Sequence, residues 1–154
     1  MSEPRKPRKP RPSLAARRAG YVAAIVFNLV GYWAVGRLVD WPGFSFLTPD
    51  FSSVVPALRV GIIAGLVVNI AYLVRDPRWL RALGEVVTSA VSVVVAAIVL
   101  GEFPFDFSSS GWETTARVVL IFAIIGSAVS IVVNLVVLVL ALFRGEEEAS
   151  PATA

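Results

Sequence analysis

Residues 118–143 read VVLIFAIIGSAVSIVVNLVVLVLALF, 26 residues without one ionisable side chain. As a helix they extend about 39 Å at 1.5 Å per residue, more than the ~30 Å hydrocarbon core of a bilayer requires. No water-soluble domain of ordinary size buries such a run on every face. This stretch reads as a transmembrane helix, and the rest of the chain follows from it.

Upstream of it, three more apolar runs appear, giving spans at about 19–39, 56–74, 82–100 and 116–143. The whole chain has 154 residues, 56% hydrophobic, with a mean hydropathy of +0.76. One soluble core of this length could hide only part of that apolar surface. The fold expected is all-α: a polytopic membrane protein of four transmembrane helices, arranged as two helical hairpins.

Punctuation between the runs is clear. Ser13 is placed to cap the first helix, with Arg17 and Arg18 at its foot. Asp40-Trp41-Pro42-Gly43 ends the first span, and an aromatic-rich loop with Trp41, Phe44, Phe46 and Phe51 follows. Thr48-Pro49-Asp50 reads as a cap with Pro at the first helical position, opening about one turn of interfacial helix before the second span. Arg75-Asp76-Pro77 makes a short reversal in which Asp76 is expected to cap the third helix. Arg81 and Glu85 form an i,i+4 pair on it. Ser110-Gly-Trp-Glu113 has the spacing of a capping box at the start of the fourth.

Charge sets the expected orientation. Of 14 Lys and Arg, 11 lie in the N-terminal tail, the Arg75–Arg81 turn and Arg144; only Arg37, Arg59 and Arg117 lie at the other end. Basic residues in short loops stay on the cytoplasmic side, so both termini are placed inside (N-in/C-in) in the cell membrane. The domain layout is a disordered, basic, Pro-rich tail at 1–13, a transmembrane domain at 14–143 and an acidic disordered tail at 144–154. The basic tail is suited to anionic lipid at the inner leaflet. It lacks aromatic stacking residues, so nucleic acid is not expected as a partner.

The two hairpins share a pattern. Asp50-Phe51-Ser52-Ser53 recurs as Asp106-Phe107-Ser108-Ser109, and Gly61-x-x-x-Gly65-x-x-x-Asn69 recurs as Gly126-x-x-x-Ser130-x-x-x-Asn134. The offsets of the two matches differ by nine residues, so the second half would carry an insertion near Trp112 to Leu120. Either the chain duplicates one hairpin, giving parallel repeats, or Val-rich spans match by chance. Gly20, Ala24 and Asn28 have the same spacing in span one. Spacing by four gathers small residues and an amide on one helix face, the pattern of close helix packing. The sharper reading lines a polar pathway with Asn28, Asn69 and Asn134. At the outer ends, Asp50 with Arg59 and Asp106 with Arg117 are candidate ion pairs, against independent interfacial charges.

Function classes narrow by what is missing. The chain has no Cys and no His, hence no thiolate nucleophile, no disulfide and none of the commonest metal ligand. No Asp, Glu, Lys or Arg sits at the middle of a span, where proton-coupled transporters keep theirs. The small multidrug resistance transporters share this size and span count but need a carboxylate in the first span, where this chain has Asn28. No catalytic, cofactor or metal residues are assigned, and no enzyme is expected.

In size, hydropathy and the short turn Asp76-Pro77-Arg78-Trp79, the chain resembles uncharacterised four-span membrane proteins of high-GC (actinobacterial-type) bacteria. The resemblance implies a bacterial cell-membrane location and no specific activity. The function expected is a non-catalytic structural or accessory subunit, as a homo-oligomer or with a membrane-protein partner. Alternatives are a small oligomeric transporter or channel lined by the Asn residues, and an envelope sensor or lipid-binding protein.

Overall fold

The computed structural model describes residues 13–149. Four long helices dominate it: α1 (Leu14–Val35), α2 (Phe51–Val74), α3 (Arg78–Glu102) and α4 (Ser110–Ala149). Each is long and apolar enough to cross a membrane, with mean hydropathies of 1.3, 2.1, 2.3 and 2.7 over its best window. The four expected spans are therefore present, and the chain is an all-α, multi-pass membrane protein. The basic Pro-rich tail up to residue 12, its expected lipid contact and residues 150–154 lie outside the described residues.

Packing follows chain order: α1 on α2, α2 on α3, α3 on α4. One end of the helices carries the α2–α3 turn, called here the turn end. The other carries the two longer connections and is called the loop end. Large apolar side chains face outward along every helix, among them Phe27 at 80% exposure and Phe122 at 69%. In water such a surface would aggregate; in a bilayer it is lipid contact.

Local chemistry sets the helix ends, and several differ from expectation. Ser13 caps α1 as read, its Oγ accepting the Ala16 N–H at 3.2 Å. α2 begins at Phe51, five residues before the expected start at Pro56. The Ser52 and Ser53 hydroxyls donate to the Pro49 and Asp50 carbonyls at 2.9 and 2.7 Å, and this winds the interfacial turn straight into α2. Asp76 makes no cap for α3; its carboxylate is taken by Arg17 and Arg81 instead. That also removes Arg81 from the expected pairing with Glu85. The capping box does not form, because Ser110 is already helical and Glu113 turns to Arg117 at 3.1 Å. α4 continues past Phe143 to Ala149, about 60 Å for its 40 residues.

The two DFSS copies adopt different structures. Phe51 is 5% exposed at the first turn of α2, whereas Phe107 stays in the loop before α4. The core is concentrated at the loop end, where Val35, Phe51, Val54 and Val99 are buried and Leu38, Leu47, Phe105 and Leu120 pack around them. Pro104 is fully buried in the same region.

Candidate functional site

The loop end is the most elaborated part of the molecule. Two 3-10 turns, Leu38–Asp40 and Pro42–Phe44, fold the α1–α2 connection back over the helix ends. An antiparallel bridge between Leu47 and Phe105 ties it to the α3–α4 connection. Thr48 N–H donates to the Pro104 carbonyl at 3.2 Å, and Asp106 N–H to the Phe46 carbonyl at 2.8 Å. Two loops more than fifty residues apart thus form one surface.

A chain of ring contacts runs across that surface. Trp33 meets Trp41 at 6.3 Å, Trp41 meets Phe44 at 6.1 Å, and Phe44 meets Phe46 at 5.9 Å between centroids. Phe46 then stacks on Phe107 at 5.4 Å, Phe107 on Phe105 at 5.7 Å, and Phe105 meets Phe103 edge-on at 5.3 Å. An arginine closes each end: Arg37 lies 4.8 Å from the Trp33 ring and Arg117 lies 3.7 Å from the Phe103 ring. Offset and edge-on aromatic pairs contribute about 0.5–1.5 kcal/mol each beyond simple burial. The ladder therefore holds the two loops in one arrangement. Phe103 pays a local strain for its place, with φ 40° in the left-handed region. It caps α3, its N–H donating to the Val99 carbonyl at 2.9 Å, and a non-glycine residue there costs roughly 1–2 kcal/mol.

The two expected outer ion pairs are not formed. Arg117 pairs with Glu113 one turn away, and Asp106 takes part in the inter-loop bridge through its backbone N–H alone. Arg59 has its guanidinium 5.2 Å from the Tyr32 ring and makes no ion pair with Asp50. Gly36 makes room for it, since a Cβ there would lie 2.5 Å from Arg59 Nη2. Tyr32, Trp33, Gly36, Arg37 and Arg59 line a cleft of about 270 Å³.

The small-residue faces do meet other helices, but not all in the same way. Gly65 faces Asn28, whose Oδ1 would stand 3.0 Å from an added Cβ. Gly61 faces Val95 of α3, whose Cγ2 would stand 3.5 Å from an added Cβ, and Gly126 has open space in front of it. The Ser89 hydroxyl donates to Ser130 Oγ at 2.9 Å, joining α3 to α4. The matching positions Gly65 and Ser130 thus each face the other helix of their own hairpin. All three Asn amides bond back onto their own helix: Asn28 to Ala24 O at 2.7 Å, Asn69 to Gly65 O at 2.8 Å, Asn134 to Ser130 O at 2.9 Å. They are not gathered at one site in the single chain, since Asn28 lies at the α1–α2 contact and Ser130, which Asn134 caps, at the α3–α4 contact.

Two features escaped the sequence reading. Gly84 is the most closely packed of the described glycines: an added Cβ would lie 2.7 Å from both Tyr72 Cζ and Val68 Cγ1. The signal was present, because Gly84-x-x-x-Thr88-x-x-x-Ser92 repeats the small-residue spacing in span three. The second is the turn-end cluster. Asp76, with its side chain 9% exposed, is paired with Arg17, accepts from Tyr21 Oη at 3.1 Å and lies 3.0 Å from Arg81 Nε. The Arg81 N–H is not aimed along that last line, so the contact is ionic and not a hydrogen bond. Tyr72 Oη donates to the Arg81 carbonyl at 2.9 Å, and the Tyr21 and Tyr72 rings stand 5.4 Å apart.

No group of three potential metal-ligating side chains occurs among the described residues. No family model, curated protein or solved structure shows significant similarity to the chain.

Proposed function

We propose that this chain is a non-catalytic structural or accessory protein of the cell membrane, with both termini cytoplasmic, whose working surface is the loop end. The observation that carries the reading is the arginine-capped aromatic ladder: two distant loops are joined by a backbone bridge and seven successive rings into one fixed face. A face built this way suits docking of another membrane protein, because ordered aromatic residues lose little freedom on binding. The charge asymmetry, 11 basic residues against 3, supports an outward-facing loop end.

Self-association is a second reading, favoured by α4. That helix packs on α3 and leaves Gly126 with open space, a small residue available for close approach by a second copy. A transporter or channel would then need the Asn residues to line the contact between copies.

A photo-crosslinker placed at Phe44 in intact cells tests the docking role. A discrete protein adduct is expected. Absence of any adduct, together with ion flux by the reconstituted chain that disappears on removing Asn69 and Asn134, would favour the pathway instead.

A further inference from the structure

The cleft between the loop ends of α1 and α2 holds two guanidiniums and no carboxylate. Arg37 and Arg59 make no ion pair among the described residues. Arg117, at the same end, is neutralised by Glu113 at 3.1 Å, so the loop end pairs one arginine and leaves two open. Arg59 Nε is shielded from solvent and has no acceptor. A partly buried cation without a counter-charge is costly, and an unpaired N–H adds to the cost.

Both arginines lie by an aromatic ring of α1. The Arg59 guanidinium rests by the Tyr32 ring at 5.2 Å and Arg37 by the Trp33 ring at 4.8 Å. Ring contact fixes a guanidinium plane while leaving its N–H edge free. Gly36 clears the wall beside Arg59. The resulting space of about 270 Å³ far exceeds the ~30 Å³ share of one water molecule. Tyr and Trp at the end of an apolar helix mark the depth where lipid headgroups lie.

We propose that the Arg37–Arg59 cleft is an anion site for a phosphate group, either the phosphodiester of a phospholipid headgroup or free phosphate. Two arginine forks match the paired oxygens of a tetrahedral phosphate. The Arg37 and Arg59 guanidiniums, which both line the cleft, supply the donors, and Tyr32 and Trp33 flank the ester substituents. The site is distinct from the basic N-terminal tail and stands whether or not the loop end docks a protein.

Native mass spectrometry of the full chain, released from a neutral detergent, tests this with three probes: phosphatidylglycerol, inorganic phosphate and uncharged diacylglycerol. Variants are Arg59→Gln, Arg37→Gln and, as control, Arg117→Gln, each checked for helix content. The expected result is retention of phosphatidylglycerol that falls at least about tenfold in Arg59→Gln and Arg37→Gln and is unchanged in Arg117→Gln. Inorganic phosphate retained with the same dependence also supports the site and assigns a soluble source; retention of the lipid alone assigns the headgroup. Equal retention of diacylglycerol, or retention indifferent to both arginines, overturns the proposal. Should Arg59→Gln not fold, Arg37→Gln decides, because Arg37 lies exposed on the rim of the cleft.

Discussion

Arg17 and Asp76, 59 residues apart, form an ion pair that fastens the first turn of α1 to the α2–α3 turn. Arg81 and Tyr21 join the same carboxylate. This latch closes the turn end, as the aromatic ladder closes the loop end. Asp76→Asn should destabilise the chain by about 1–3 kcal/mol, less than a fully buried pair because Arg17 and Arg81 stay 21% and 32% exposed. Chemical unfolding in nanodiscs measures it. A loss no larger than that of an exposed carboxylate such as Asp40→Asn would remove the latch from the account.

Gly84 should not accept a side chain. Gly84→Ala drives a Cβ against Val68 and the Tyr72 ring, and overpacking of this kind costs about 1–3 kcal/mol. Gly20→Ala and Gly126→Ala, with nothing within 4 Å of the added carbon, should be neutral or slightly stabilising within their helices. Thermal unfolding of the three variants side by side gives the comparison.

At Phe103 the strain and the ring contacts can be separated. Phe103→Ala loses the Arg117 and Phe105 contacts and keeps the left-handed φ. Phe103→Gly loses the same contacts and is also relieved of the strain penalty, so it should be roughly 1 kcal/mol more stable than the Ala variant. Equal stabilities would show that the backbone there is not held at positive φ.

The Asn amides bond within their own helices, so Asn69→Ala combined with Asn134→Ala should shift stability by only about 1 kcal/mol, given ~0.6 kcal/mol for an average intramembrane hydrogen bond. A much larger loss in a monomeric preparation would mean that these amides hold helices together.

The spans were legible because lipid imposes one simple demand, length without charge, and residues 118–143 meet it unmistakably. Ser13 was legible because a cap is a local event. The ends of α2, α3 and α4 were misread for the opposite reason. Asp76 and Glu113 are correct capping residues in isolation, but arginines compete for them, one from 59 residues away. The pairing of Asp50 with Arg59 and Asp106 with Arg117 failed similarly, since aromatic rings and a nearer carboxylate were the better partners. The aromatic residues of both loops were visible in the sequence. Their assembly into one ladder was not, because the bridge between Leu47 and Phe105 is a tertiary contact with no local signature.

The proposed docking role requires the two loops to form a single surface facing away from the cytoplasm. The chain has no cysteine, so Ser45→Cys with Asp106→Cys places the only two thiols at exposed positions beside the inter-loop bridge. A short membrane-impermeant bis-maleimide added to intact cells should link them within one chain. No link would show that the two loops do not form one surface, and a link only after the cells are broken open would place that surface on the cytoplasmic side.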